Sequence, residues 1–414
     1  MEISLNKVIR AISIALDLSQ MSSVDGTNII EEVTNINYSK HKFMNHSLRT
    51  CYIAIEIGKE LNIPQDKLQA VYISSLLHDI GATNFFNVSH YSNDFIYEHS
   101  IIGSSLTKEF PLFNNLSDII LYHHENYDGS GPLKLSGENI PFESQIIRIS
   151  DLIELLFNET QPSLVQKDRI VQWIKENNNR VYPSNITEAF LRCSRKDIFW
   201  FNLENLNSMN FILDNVAPKI NHNLTLYEFE KVAYIFSDII DKKDDHTASH
   251  SLNIGELAYN VSKHLKYDEE KCIKMKIAGL LHDIGKLAIP IKILNKNSGL
   301  TNDEFNIIKS HVYYSKIILD RIEDIPDISD WASNHHEKLD GTGYPRGLKS
   351  HELSEESRIM AICDIYQALT EDRPYKKGFT HEKTFRIMND MADKYLICYK
   401  ALGYLKETIG YNDL

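Results

Sequence analysis

Residues 75–81 read SLLHDIG and residues 279–285 read GLLHDIG, so an apolar run closing on a His-Asp pair occurs twice, 204 positions apart. On either side of these segments the same register returns. His46-Ser47 maps onto His250-Ser251, each His standing 32 residues ahead of the His of its His-Asp pair. His99 lies 24 residues before His123 of a His-His doublet, and His311 lies 24 before His335 of a second one. The doublets continue as HHENYDGSG and HHEKLDGTGYP, and Asp151 and Asp364 follow 27 and 28 residues beyond the second His of each. Self-similarity held at a fixed offset marks a repeated unit. The chain reads as a tandem duplication.

Between these residues the apolar positions recur at three and four rather than two, as in Ile277, Leu280, Leu281 and Ile284, which is the spacing of a helix face. Thr301-Asn302-Asp303-Glu304 fits a capping box that starts a helix through His311. Leu353 to Thr370, with Ser354 near its start and Ile359, Ala361, Ile362, Ile365 and Leu369 along it, predicts a helix carrying Asp364. Strand signals are scarce and Gly and Pro are sparse, so the expected class is all-α. At 414 residues the chain exceeds one ordinary core. The expected division is a domain over 1–205, an Asn-rich linker with Pro218 over 206–223, and a second domain over 224–414.

Composition narrows the function. A hydrophobic fraction of 43% and a charged fraction of 24% are those of a folded globular protein. The formal charge of −13 opposes a broad DNA or RNA surface but leaves room for a small anion held by a local basic cluster. Five scattered cysteines without a CxxC pair point to reduced, mostly core residues. Apolar runs such as Val71 to Leu77 fall far short of the ~18 residues a membrane span needs. The opening MEISLNKVIR has no apolar signal region. The expected compartment is the cytoplasm, with no membrane partner.

The C-terminal half gathers His250, His282, Asp283, His311, His335, His336 and Asp364. Imidazole and carboxylate ligands suit Fe, Mn, Zn, Ni or Co, and a helical scaffold can aim several of them inward. Seven ligands suffice for two ions if one carboxylate bridges, and two ions ~3.5–4 Å apart can acidify a bridging water and clamp a phosphate for in-line attack. One His on an apolar helix is ordinarily a core or surface residue. The repeated combination of His-Asp, His-His and a later Asp is what argues for a centre. Cys363, beside Asp364, reads as packing.

The segments HDIGK, HHEKLDGTGYPRGL and ICDIYQALTEDRPYKKG resemble the HD-GYP branch of the HD metal-dependent phosphohydrolases, over about residues 225 to 380. The resemblance implies two tandem HD-type helical domains. It also implies a centre of two or three divalent ions, Fe or Mn foremost. The activity it implies is a phosphodiesterase that opens cyclic di-GMP, and in some members 3′3′-cyclic GMP-AMP, to a linear 5′-phosphorylated dinucleotide. Carried over by position, the ligands are His250, His282, Asp283, His311, His335, His336 and Asp364, with Asp283 and Lys286 catalytic. Lys286 lies at the phosphate, Arg373 and Lys376 grip it, and Gly343-Tyr344-Pro345 forms the loop that names the family.

Physical chemistry agrees with these roles. A lysine four residues after His282 projects from the same helical face, close enough to balance charge developing on the phosphoryl oxygens. Arg373 can fork two donors onto a phosphate and Lys376 adds a point charge. His246, four before His250, stands where some members place a carboxylate for a third ion, so it is a candidate ligand or a supporting surface residue. A nucleotidase would share the ligands without needing the GYP loop or the DRPYK segment. A nonenzymatic signalling scaffold would need neither Lys286 nor the full ligand set.

The N-terminal copy keeps His46, His78, Asp79, His99, His123, His124 and Asp151. Ala82 stands in place of Lys286, GSGPLK in place of GTGYPR, Lys42 in place of His246, and LIELLFNETQPS has no match to DRPYK. It reads as a degenerate domain that packs, forms a homodimer or regulates, with metal retention left open.

Overall fold

The computed structural model describes residues 1–23, 45–84, 93–111, 115–205, 208–243, 249–296, 298–372 and 377–411. Helices dominate, as the apolar periodicity predicts. Among the described residues the only sheet is a pair of three-residue strands, Glu2–Ser4 antiparallel to Asn223–Thr225. No helix among them is long and apolar enough to cross a membrane.

The chain divides into two compact units, one of Met1–Ala11 with Asn223–Leu414 and one of Ile12–His222. These limits differ from the sequence-based division at two places. Residues 1–11 belong with the second half, because Ile3 pairs with Leu224 and both are fully buried. Ser4 N–H donates to Asp324 Oδ2 at 2.9 Å and Lys7 Nζ to Asp324 Oδ1 at 3.1 Å, adding polar ties. The stretch 206–223 also carries a helix, Met209–Val216, whose Met209, Ile212 and Leu213 are buried.

In the C-terminal unit, Leu226–Lys243, His250–His264, Glu269–Leu281, Asn302–Asp320, Pro326–Ser333 and Glu355–Thr370 surround the residues of interest. Local signals set their ends. Thr301 and Glu304 form a full capping box on Asn302–Asp320. Ser354 caps Glu355–Thr370 by accepting from Ser357 N–H. The apolar faces, including Phe229, Ile254, Ile277, Leu280 and Met360, close a core under the polar cluster.

The N-terminal unit repeats this frame with His46–Glu60, Gln65–Leu77, Asn93–Thr107, Leu116–Leu121 and Phe142–Leu156. It then adds Ser163–Glu176, Ser184–Ser194 and Asp197–Glu204. Phe190, Phe199 and Trp200 of that addition form an aromatic cluster, with Tyr52 stacked on Phe199 at 5.7 Å. The five cysteines form no disulfide, and four of them are buried.

Candidate metal centre

The helix Glu269–Leu281 ends just before His282, and the chain turns through Asp283 into the tight 3-10 segment Ile284–Ala288. That turn requires Gly285. A Cβ there would stand 1.9 Å from the carbonyl oxygen of His311, so the glycine lets the turn lie directly on the His311 helix. Ser315 Oγ fastens the contact, accepting from Gly285 N–H at 2.9 Å and donating to the His282 carbonyl at 2.8 Å.

Asp283 is thereby held between two sets of imidazoles. Its Oδ2 is 3.1 Å from His282 Nε2, and its Oδ1 is 3.2 Å from His311 Nε2 and 3.8 Å from His335 Nε2. His250 Nε2 lies 3.5 Å from Asp364 Oδ1, and His336 Nδ1 lies 3.9 Å from Asp364 Oδ2. His250, His282 and Asp283 form one group whose donor atoms converge, and His311, His335 and His336 form another. Each can hold a metal ion.

The outer nitrogens fix the tautomers. His282 Nδ1 donates to Gly279 O at 2.8 Å, His311 Nδ1 to Ile308 O at 2.6 Å and His335 Nδ1 to Ala332 O at 2.6 Å. With Nδ1 so engaged, each ring turns its Nε2 inward. Burial keeps His335 well below the ordinary histidine range, helped by His336 and His282, and brings His336 down to about 4. Burial alone would raise Asp283, but His282 and Lys286 outweigh it and hold the carboxylate ionised. His282 Nε2 is buried with no hydrogen bond among the described residues. Inward-facing imidazole nitrogens around an ionised carboxylate are the donor set a divalent cation takes once any ring proton is displaced.

The remaining sequence-predicted residues fall as follows. Lys286 is not on a helix face shared with His282, because the helix has already ended. It reaches Asp283 from the 3-10 turn, Nζ to Oδ2 at 2.8 Å, with its side chain 16% exposed. Tyr344 packs its ring 4.8 Å from that of His336, and the Tyr344-Pro345 peptide is cis. Gly343 sits so close to Glu337 and Lys338 that a Cβ would lie 2.4 Å from Lys338 N. His246, Arg373, Lys376 and Lys42 lie outside the described residues.

Three supporting carboxylates are absent from the sequence-based set. Glu371 accepts from His250 Nδ1 at 3.0 Å. Asp241 receives Ser251 Oγ at 2.7 Å and Ser251 N–H at 3.1 Å, anchoring the turn that starts with His250. Glu337 accepts from Arg346 N–H at 2.8 Å and Leu348 N–H at 2.9 Å, folding the GYP loop back over the doublet. Only Glu337 leaves a readable sign, since Glu125 follows the other doublet and grips Leu133 N–H and Leu135 N–H in the same way.

The N-terminal unit assembles its own cluster. Asp79 again lies between two sets, Oδ2 near His46 and His78 and Oδ1 near His99 and His123. Gly81 makes the same close approach, with a Cβ 2.0 Å from the His99 carbonyl oxygen. Ala82, in the place of Lys286, is buried.

Comparison with known proteins agrees with this architecture. The 3′3′-cGAMP-specific phosphodiesterase 1 of Vibrio cholerae is 29% identical over 356 residues, 83% of this chain and 82% of that one. The 3′3′-cGAMP-specific phosphodiesterase 3 of the same organism is 23% identical over 87% of this chain and 90% of its own. A cyclic di-GMP phosphodiesterase of Pseudomonas aeruginosa is 39% identical over 146 residues, 35% of each chain. The crystal structure of a cyclic GMP-AMP-specific phosphodiesterase of V. cholerae shares the fold with a TM-score of 0.69, at 20% identity over 100% of this chain and 99% of that one. The HD domain model matches twice, over residues 33–175 and 234–396, and the chain therefore belongs to the HD domain family with one copy in each half.

Proposed function

We propose that the C-terminal unit is a cyclic-dinucleotide phosphodiesterase that opens 3′3′-cyclic GMP-AMP, cyclic di-GMP or both to a linear dinucleotide with a 5′-phosphate. The observation that carries this reading is the Asp283 carboxylate, one oxygen toward His282 and the other toward His311 and His335, with Lys286 beside it. In this reading His250, His282, Asp283 and Asp364 hold one divalent cation, and Asp283, His311, His335 and His336 a second. Fe or Mn suits such a nitrogen and oxygen set. Bound there, the ions supply an acidified water and neutralise phosphoryl charge.

The chain's own residues do the rest. Water oxygen adds to phosphorus, the bond from phosphorus to the 3′ oxygen breaks, the proton given up by the water ends on the departing 3′ oxygen as a hydroxyl, and the phosphate stays on the 5′ side. Lys286, at the partly exposed edge of the cluster, offers its ammonium to the phosphoryl oxygens as their charge grows. Arg373 and Lys376 add two cations by motif. Tyr344 packs its ring against that of His336 and so fixes one side of the doublet. His246 is a candidate ligand for a third ion.

Cyclic GMP-AMP is the favoured substrate, because the two relatives that match over more than four-fifths of the chain carry that specificity in their names. Without a counterpart of Lys286, the N-terminal unit serves as a partner domain that packs, dimerises or regulates. The substrate class fits second-messenger turnover in the cytoplasm. The test incubates the Mn- or Fe-loaded chain with cyclic GMP-AMP, cyclic di-GMP and mononucleotides and separates the products. A linear dinucleotide, formed faster from cyclic GMP-AMP, is expected. Phosphate release from mononucleotides with both cyclic compounds intact would replace the proposal with a nucleotidase.

A further inference from the structure

The 3-10 turn Ile284–Ala288 is clamped on both sides of Lys286. Ahead of it, Gly285 N–H donates to Ser315 Oγ at 2.9 Å. Behind it, Lys243 Nζ donates to the Leu287 carbonyl at 2.5 Å. Lys243 is the last residue of the helix Leu226–Lys243, and it is 0% exposed. Lysine is among the residues least often buried so fully, because its ammonium gives up its hydration. Burial accordingly pushes the Lys243 amine well below the ordinary lysine range. A methionine of similar length would fill the space without that cost, so packing alone gives no reason for a lysine here.

The other unit lacks this lysine. Two residues before Lys243, Asp241 Oδ1 accepts from Ser251 N–H at 3.1 Å and from Ser251 Oγ at 2.7 Å. In the N-terminal unit Asp17 Oδ1 accepts from Ser47 N–H at 3.0 Å and from Ser47 Oγ at 2.7 Å. Ser47 follows His46 as Ser251 follows His250, so the two aspartates do the same work. Two residues after Asp17 stands Ser19, also buried, its hydroxyl without a hydrogen-bond partner among the described residues. The unit with Ala82 in the place of Lys286 thus has a serine in the place of Lys243. Its His-Asp frame and the close approach of Gly81 persist all the same, so neither needs such a lysine. What the C-terminal unit has in addition is Lys286.

We propose that Lys243 is a positioning residue for the C-terminal reaction, holding the Leu287 carbonyl and so fixing the turn from which Lys286 reaches the phosphate. It acts through Lys286 and not through the metal ligands, and this role rests on the phosphodiesterase activity proposed for that unit. Without the tie the turn is fastened only at Gly285, and the ammonium one residue further on is free to drift. Misplacement of a reacting group by about 1 Å can cost about 10²-fold in rate.

The test is a double-mutant cycle on the Mn-loaded full chain, with Lys243→Met and Lys286→Ala made singly and together. Turnover of cyclic GMP-AMP and cyclic di-GMP, metal content and amide exchange across Ile284–Ala288 are measured on each protein. Lys243→Met should lower kcat about 10- to 100-fold, leave KM and metal content near the parent's, and speed exchange in the turn. In the Lys286→Ala background the same substitution should change kcat by less than about twofold, since the group it positions is gone. If Lys243→Met does not fold, Lys243→Gln, whose amide is one bond too short for the Leu287 carbonyl, replaces it in the cycle with the same expectations. Equal losses in both backgrounds, an unchanged kcat beside Lys286, unchanged exchange, or loss of metal would overturn the role of Lys243 alone. A parent chain that opens neither cyclic dinucleotide would overturn the proposed activity and this role with it.

Discussion

His250 stands between two carboxylates, its Nδ1 3.0 Å from Glu371 Oε2 and its Nε2 3.5 Å from Asp364 Oδ1. Burial pulls its pKa down, but the hydrogen bonds to Asp364 and Glu371 overcome that and hold it up at about 9. Below that pH the metal-free ring carries a proton that a cation must displace. Apparent affinity at the C-terminal centre should therefore climb about tenfold per pH unit and level off near pH 9. Glu371→Gln removes one of the groups that favour the proton, so the plateau should begin at lower pH. Co2+ titrations from about pH 6.5 up to about pH 9.5 check this, bracketing the ordinary histidine value and the raised one. An unmoved plateau would reject the role of Glu371.

Asp283→Ala should reduce hydrolysis to background and lower bound metal, because it removes the carboxylate both imidazole sets face. Retained turnover in a folded Asp283→Ala protein would sink the assignment of the active site.

Lys286→Ala should lower kcat by about 10²–10³-fold, the scale for one electrostatic donor at a developing oxyanion. Metal content should stay near the parent's. Loss of the ions instead would mean that the Lys286–Asp283 pair serves the ligand alone.

The two His-Asp pairs should answer differently to the same double substitution. His78→Ala with Asp79→Ala should keep turnover while lowering thermal stability, whereas His282→Ala with Asp283→Ala should lose turnover. Hydrolysis, metal content and melting are measured on both proteins. Abolished hydrolysis in the first, with C-terminal metal and fold intact, would show that the N-terminal cluster takes part in the chemistry.

Gly285→Ala should destabilise by about 1–3 kcal/mol, since the new methyl meets the His311 carbonyl and the turn must shift. Melting should fall by several degrees and C-terminal metal should bind less tightly. An unchanged melting temperature would mean that the turn relaxes freely.

The ligand residues are readable in the sequence because metal chemistry restricts residue type, and duplication prints the restriction twice at matching spacing. The helix through His311 and the one carrying Asp364 announce themselves by caps, Thr301 with Glu304 and Ser354 with Ser357, which are local and therefore visible. Lys286 is recognisable by motif, but the sequence sets it on the wrong element. The apolar period runs past Leu281, while the Gly285 contact with the His311 helix tightens the chain into a 3-10 turn. Glu371 and Asp241 have no sequence signal, since their importance lies in the imidazole and hydroxyl that folding brings to them. Met209–Val216 is only eight residues long and sits among asparagines, too short for its buried stripe to stand out.

The strand Glu2–Ser4 waits for a partner that lies more than two hundred residues further along the chain. At about 5–20 residues per second, a ribosome takes on the order of 10–40 s to deliver Asn223–Thr225 after the strand is made. In that interval Ile3 has no mate, while all of Ile12–His222 has been made and can fold. The later unit must therefore collect residues synthesised before the whole of the earlier one. Expression of residues 224–414 alone would leave Leu224 bare and Asp324 without Ser4 and Lys7, so an experimenter who cuts the gene at the repeat would discard part of the half being studied.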